Sequence, residues 1–182
     1  MSASKHCSPL DLGNMAKITD YLYLGGLAAA KKEDLLKENG ITCVISAALE
    51  SPELTYESIT CTRIKLEDNP TCNIGIYFDL VADKIEKVRR ERGKVLVHCI
   101  AGISRSATLV LAYLMKYQKM RLFDAHAHVH KKRRLVRPNN GFWKYLVEYE
   151  NKLFQKNTIN MVESKFGLIP NIYEDEMKNL VW

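Results

Sequence analysis

The stretch VLVHCIAGISRSAT, residues 95–108, decides the fold because it contains a strand, a loop and the start of a helix. Its apolar, β-branched beginning is typical of a buried strand, which we place at 94–98. From Arg105 to Gln118 the chain is mostly apolar, which predicts a core helix. Gly102 allows a tight turn between the two. Backbone N–H groups at such a helix start bind tetrahedral anions, so the stretch predicts an anion site.

Strand and helix patterns alternate around this unit. Short apolar, β-branched runs predict strands, and apolar residues at helical spacing predict helices. Besides 94–98 the predicted strands are 18–25, 41–47 and 61–66, and the predicted helices are 31–39, 74–92, 105–118, 122–134 and 139–154. This order indicates an α/β fold in one domain, with a mostly parallel central sheet flanked by helices. Ligands of such sheets bind at the carboxyl ends of the strands, where the 99–105 loop lies.

The chain has 182 residues, which fits one domain of ordinary size. We expect residues 1–15 to form a variable tail, 16–157 the functional domain, and 158–182 a less regular C-terminal extension that packs on the domain or follows it. The content of 47% hydrophobic and 26% charged residues is that of a soluble globular protein. We find no apolar run that could span a bilayer, no signal core, and Ser2 where myristoylation needs glycine, so we expect no membrane insertion or secretion.

The chain has five cysteines, and they are scattered without a Cys-x-x-Cys pair. This pattern argues against a disulfide framework or a structural zinc site and favours a reducing compartment. We therefore expect a cytoplasmic protein that can also enter the nucleus.

Two clusters of basic and imidazole side chains have alternative interpretations. The run 131–134 carries much of the net charge of +6, and it could attract nucleic acid, anionic lipid or phosphorylated protein. We favour a solvated helix end. His126 and His130 have a spacing that can hold zinc, with His128 between them. No Glu follows His126 and no third ligand is evident, so we expect exposed histidines and no metal.

The residue types of the 98–106 segment suit nucleophilic attack on a phosphate ester. A free cysteine titrates at roughly 8.5, but the helix start and the Arg105 guanidinium favour the thiolate of Cys99. Arg105 can grip two phosphate oxygens as a fork. Ser106 is placed to donate a hydrogen bond to the sulfur, and His98 to bond the loop backbone and orient Cys99. The expected phosphate-binding residues are Ile100, Ala101, Gly102, Ile103, Ser104 and Arg105.

Phosphoryl transfer to a thiolate also needs an acid for the leaving oxygen. The turn-like segment 66–70 follows a predicted strand and offers Glu67 and Asp68. The acid would protonate the departing hydroxyl and then, as carboxylate, activate the water that hydrolyses phospho-Cys99. The residues alone leave both candidates open, with Asp68 favoured.

These motifs resemble the cysteine-dependent atypical dual-specificity protein phosphatases, in particular the branch of dual-specificity phosphatases fourteen, eighteen and twenty-one. The likeness covers about 18–173 and rests on His98-Cys99-x-x-Gly102-x-Ser104-Arg105-Ser106, on Leu66-Glu67-Asp68-Asn69-Pro70 and on Pro138-Asn139-x-Gly141-Phe142. It implies that Asp68 is the general acid, that Asn139 supports the site, and that 16–157 is the catalytic domain. It also implies phosphotyrosine and phosphothreonine substrates, MAP kinases as targets and no cofactor.

Three other functions share part of this pattern. A phosphoinositide phosphatase would carry lysines inside the loop, whereas Ile100, Ala101 and Ile103 are uncharged. A non-catalytic phosphoprotein-binding module would have lost Cys99, Arg105 or Asp68. An RNA triphosphatase would need aromatic residues along a basic groove, and we expect no nucleic-acid partner. We therefore predict a dual-specificity phosphatase with a shallow pocket. Ile100, Ile103 and Lys144-Tyr145 depart from the family pattern, and these departures concern substrate preference and not the chemistry.

Overall fold

The computed structural model describes residues 12–165 and 167–178. Its central sheet has the strand order β1-β2-β5-β3-β4. These strands are Ala16–Lys17, Leu22–Gly26, Cys43–Ala47, Thr60–Ile64 and Val95–Cys99, numbered β1 to β5 along the chain. β1 is antiparallel to β2, and the other neighbouring pairs are parallel. The predicted mostly parallel α/β class is confirmed.

Seven helices accompany the sheet in the described part of the chain. They are Leu27–Ala30, Glu33–Glu38, Phe78–Arg90, Arg105–Gln118, Leu122–Lys132, Asn140–Phe154 and Glu174–Lys178, numbered α1 to α7. α4 is the central helix: its residues from Arg105 to Met115 are buried, and it packs on the sheet and on α3, α5 and α6. The predicted helix 105–118 agrees with α4 at both ends.

Three predicted segments begin differently in the structure. The strand predicted at 18–25 is interrupted because Thr19 Oγ1 accepts hydrogen bonds from the N–H groups of Tyr21 and Leu22, which closes a turn before β2. The helix predicted at 31–39 is preceded by α1, and the helix predicted at 74–92 begins as a 3-10 turn at Ile74–Tyr77.

The C-terminal stretch is more regular than predicted. Strands β6 (Met161–Ser164) and β7 (Gly167–Pro170) form an antiparallel hairpin, followed by a 3-10 turn and α7. Buried Ile159, Ile169 and Tyr173 belong to the main core, so this stretch packs on the rest of the protein. The expected tail at 1–15 lies mostly outside the described residues, and the boundary near 157 stays a prediction.

Candidate active site

The loop between β5 and α4 holds the sulfur of Cys99 at the start of a 14-residue helix. The N–H group of Gly102 donates to Cys99 Sγ at 3.3 Å, and Ser106 Oγ donates to it at 3.2 Å. Gly102 has φ +70°, and a Cβ there would lie 2.4 Å from the carbonyl oxygen of Gly25. Glycine is therefore required. The two donors and the positive helix end stabilise negative charge on the sulfur.

His98 braces the same cysteine from the strand side. The side chain is fully buried, and Nδ1 lies 3.0 Å from the carbonyl oxygen of Cys99. Because a carbonyl only accepts, Nδ1 carries the proton. Burial lowers the pKa of His98 and outweighs the opposite effect of that hydrogen bond. His98 is thus a neutral imidazole at neutral pH, with an unprotonated Nε2.

Arg105 is only 4% exposed and is held by a carboxylate that the sequence analysis missed. Its two terminal nitrogens donate to the two oxygens of Glu50 at 2.7 and 2.6 Å, and Nη1 also donates to the carbonyl of Leu66. Burial disfavours the charge of Arg105, but the bonds to Glu50 and the nearby negative charges raise its pKa. The same contact lowers the pKa of Glu50. The only sequence signal for Glu50 is its place beyond the carboxyl end of β3.

Asp68 lies across the loop from the cysteine segment. Its Oδ1 accepts from Ser104 Oγ and from Asn139 Nδ2, both at 2.8 Å, and Oδ2 lies 3.7 Å from Arg105 Nε. Asn139 also caps α6, because its Oδ1 accepts from the N–H group of Phe142. The structure therefore brings Asp68, Ser104, Arg105 and Asn139 together.

The loop carbonyls are bound on the side away from the sulfur. The carbonyl of Ile100 accepts from the N–H of Leu27, and that of Ile103 accepts from the N–H of Arg137, both at 2.9 Å. Since the C=O and N–H of a trans peptide point in opposite directions, the N–H groups that follow these carbonyls face the sulfur side. Such convergent N–H groups suit a tetrahedral oxyanion.

The prediction of a solvated basic helix end is wrong for Arg133. Its side chain is buried, and it donates from Nε to the carbonyl of Gly102 and from Nη2 to that of Ala101, both at 2.8 Å. α5 ends at Lys132, and the extended backbone of Arg133 takes its side chain to the loop. The neighbouring Lys131, Lys132 and Arg134 are exposed as expected.

The prediction of exposed histidines is also wrong. The His126 ring packs against Trp143 and stacks on His130, with centroid distances of 5.1 and 5.6 Å, and His128 Nε2 lies 2.9 Å from the carbonyl oxygen of Ile18. Burial lowers the pKa of His126 to about 4. The three histidines of α5 are therefore partly buried by ring contacts and a hydrogen bond.

Within residues 12–165 and 167–178, no three His, Cys, Asp or Glu side chains gather as metal ligands would. The described cysteines Cys43, Cys61, Cys72 and Cys99 are free thiols, and Cys7 lies outside the described residues. In the same part of the chain, every helix is too short or too polar to cross a bilayer.

Comparisons with known proteins identify the family of this chain. Residues 22–152 match the family model described as dual specificity phosphatase, catalytic domain. The chain is 44% identical over 181 residues to dual specificity protein phosphatase 14 of Bos taurus, covering 100% of this chain and 91% of that protein. It is 44% identical over 170 residues to dual specificity protein phosphatase 18 of Rattus norvegicus, covering 93% and 83% of the two.

A solved structure has the same architecture. The crystal structure of a mouse putative dual specificity phosphatase complexed with zinc tungstate superposes with a TM-score of 0.74 at 29% identity, covering 84% of this chain and 94% of that one. The chain therefore belongs to the dual specificity phosphatases, as an atypical member similar to phosphatases 14 and 18, and is a hydrolase that removes phosphate from phosphorylated proteins.

Proposed function

We propose that this phosphatase works through a covalent phosphocysteine on Cys99 and acts on MAP-kinase-type signalling proteins. The observation that supports the mechanism best is the pairing of two groups across the loop. The Cys99 sulfur accepts two hydrogen bonds at the start of α4, and the Asp68 carboxyl group is held opposite by Ser104 and Asn139. A nucleophile and an acid are thereby presented to one bound phosphate.

In the first step the Cys99 thiolate attacks phosphorus. The bond from phosphorus to the substrate oxygen breaks, and protonated Asp68 gives its proton to that oxygen. Arg105 and the loop N–H groups bind the equatorial oxygens and stabilise the charge of the transition state. Glu50 holds the guanidinium plane of Arg105 for this contact.

In the second step water attacks the phosphorus of phospho-Cys99. Asp68, now a carboxylate, takes a proton from that water, and the sulfur–phosphorus bond breaks to restore the thiolate. Ser106 donates its hydrogen bond to the departing sulfur. His98 stays neutral and fixes the Cys99 carbonyl throughout. Every proton is thus accounted for by Asp68 and water.

The surroundings of the loop favour a protein substrate over a lipid headgroup. Ile100 and Leu49 are large apolar side chains, and both are exposed beside the site. An apolar rim suits the side chains that flank a phosphorylated residue, whereas a polyphosphorylated headgroup needs further cations. Free thiols in the described residues suit a reducing compartment, so we place the enzyme in the cytoplasm and nucleus.

The test is hydrolysis of a doubly phosphorylated Thr-x-Tyr peptide from a MAP-kinase activation loop, in chelator. We expect both phosphates to be released by the wild type and neither by Cys99→Ser. Acid quench and mass spectrometry of Asp68→Asn should show a phosphoryl adduct on Cys99. Asp68→Asn should lower kcat by roughly 10²- to 10⁴-fold.

Glu67→Gln is the matched control, since it removes the adjacent carboxylate and should leave kcat close to that of the wild type. Faster turnover of inositol headgroups than of the peptide would overturn the protein-substrate proposal. Equal losses for Glu67→Gln and Asp68→Asn would overturn the assignment of the acid.

A further inference from the structure

A cavity lies behind the 99–105 loop, on the sheet face opposite α3 and α4. Its volume is about 300 Å³, and it lies between β3, β4, β5 and the segment 52–59, open to solvent on one side. Such a volume is within the range of small-molecule sites. The cavity therefore has room for a ligand distinct from the phosphate bound at Cys99.

The register of the sheet decides which side chains form the floor of this cavity. Ser46 of β3 pairs with His98 of β5, and Val44 of β3 pairs with Cys61 of β4. Paired residues, and residues two apart on one strand, share a face of the sheet. All four side chains consequently line the same cavity.

Two buried polar atoms on this floor lack partners. Among the residues that the structure describes, neither Ser46 Oγ nor His98 Nε2 has a hydrogen bond. Ser46 is 8% exposed and His98 is fully buried. Buried polar atoms are nearly always bonded, and leaving one unpaired is costly. Because Nδ1 of His98 carries the proton, its Nε2 is an acceptor and requires a donor.

The roof of the cavity is fixed at both ends. Arg63 Nη2 donates to the carbonyls of Leu49 and Ser51 at 2.8 and 2.6 Å, and Tyr56 Oη donates to the carbonyl of Ala30 at 2.6 Å. Pro52, Leu54 and Ile59 add apolar surface, whereas Thr55, Thr62 and Glu53 add polar groups. The cavity is thus preformed, and its apolar part suits an apolar ring.

We propose that this cavity is a binding site for a small uncharged molecule with an apolar ring and an N–H or O–H donor. The donor bonds His98 Nε2, and Ser46 Oγ provides the second polar contact. The ligand would therefore touch the imidazole that bonds the Cys99 backbone, on the side away from the phosphate.

The test uses indole as the probe and 1-methylindole as its matched partner without the donor. Each is titrated into the full chain labelled with ¹⁵N-histidine, and the Nε2 signal of His98 is followed by NMR. We expect a saturable shift with indole and binding at least about fivefold weaker for 1-methylindole, the loss of one hydrogen bond. Equal affinity for the two compounds, or no saturable shift with either, would overturn the proposal.

Two variants of β4 show whether binding occurs in this cavity. Cys61→Trp fills it and should abolish the indole shift. Thr60→Trp adds the same ring to the preceding residue, which pairs with Cys43 and so faces the other side of the sheet, and should leave binding unchanged. Ser46→Ala should weaken indole binding while His98 still responds. Equal effects of Cys61→Trp and Thr60→Trp would overturn the location. None of these binding measurements depends on phosphocysteine formation.

Discussion

The two sides of the 99–105 loop are held by different kinds of contact. We call the front the side that holds the Cys99 sulfur, Arg105 and Asp68, and the rear the side where the loop carbonyls are bound. At the front, contacts join charged side chains, chiefly Arg105 with Glu50. At the rear, Arg133 and backbone N–H groups bond the carbonyls. In the proposed mechanism the front exchanges partners with a substrate, whereas the rear maintains the shape of the loop.

Exposure strengthens this contrast. Arg105 and Arg133 are similarly buried, at 4% and 7% exposed, but their partners differ. The Glu50 side chain is 52% exposed, and that of Asp68 is 37% exposed. Ion pairs with such exposed partners contribute little to stability. We therefore expect substitutions at the rear to affect folding and those at the front to affect mainly catalysis.

The largest effect is expected for Arg133→Met at the rear. The substitution keeps an apolar stem but leaves the carbonyls of Ala101 and Gly102 without their donors. It should lower the free energy of unfolding by about 2–4 kcal/mol, and it should lower kcat because the loop N–H groups lose their alignment. Urea denaturation and peptide hydrolysis measure the two effects. Arg134→Met, at the exposed neighbour, is the control, and equal stability of the two variants would contradict the contrast.

A smaller effect is expected for Gly141→Ala, which shifts Asp68, the proposed acid at the front, through a backbone contact. A Cβ at Gly141 would lie 1.8 Å from the carbonyl oxygen of Pro70, so α6 and the segment with Asp68 would have to separate. We expect a stability loss of about 1–3 kcal/mol. Rates should fall about tenfold for phosphotyrosine peptide, and less for an aryl phosphate with a more acidic phenol.

The control is Asn140→Ala, at the exposed first residue of α6. It should leave both rates near those of the wild type. If Gly141→Ala lowered both rates by the same factor, the separation would not act through Asp68.

The sequence predicted the contacts within the 98–106 segment better than the long-range contacts of the loop, for physical reasons. Cys99, Gly102, Arg105 and Ser106 lie within a few residues, so one strand–loop–helix pattern and a family motif suffice to place them. The contact of Arg133 with Gly102 spans 31 residues, and that of Glu50 with Arg105 spans 55. Such contacts depend on how helices and strands pack. From composition alone we predicted that the Arg133 side chain is exposed to solvent. Composition does not show that α5 ends at Lys132, just before this residue.

Local hydrogen bonds limited the prediction of the fold in a similar way. The order of strands and helices followed from apolar periodicity, and α4 was predicted at both ends. The start of the strand predicted at 18–25 was wrong, because the apolar pattern continues through a turn that the Thr19 hydroxyl closes. The hairpin at the C-terminus escaped detection because its short strands are half exposed and lack strong alternation.

Glu50→Gln tests whether the front acts mainly on catalysis. The amide cannot receive the two donors of Arg105 as a carboxylate does, so the guanidinium loses a fixed plane. We expect kcat/KM for phosphotyrosine peptide to fall about tenfold, with little loss of stability at neutral pH. Glu53→Gln changes an exposed carboxylate on the nearby segment and should leave kcat/KM near the wild-type value. Equal losses for the two variants would remove Glu50 from the site.

The smallest effect distinguishes the two sides by pH. The hydrogen bond to Arg105 holds the pKa of Glu50 below its ordinary value of 4.5. A lowered pKa means that the ion pair stabilises the folded state above that ordinary value and is lost as the pH falls through the lowered one. The wild type should exceed Glu50→Gln in stability by less than about 1 kcal/mol at pH 6, and the difference should vanish on acidification.

The carbonyl partners of Arg133 do not titrate, so the difference in stability between wild type and Arg133→Met should stay constant over the same pH range. Urea denaturation of the three proteins from neutral to acid pH measures both differences, and a parallel decline of the two would show that the loop is held in the same way on both sides.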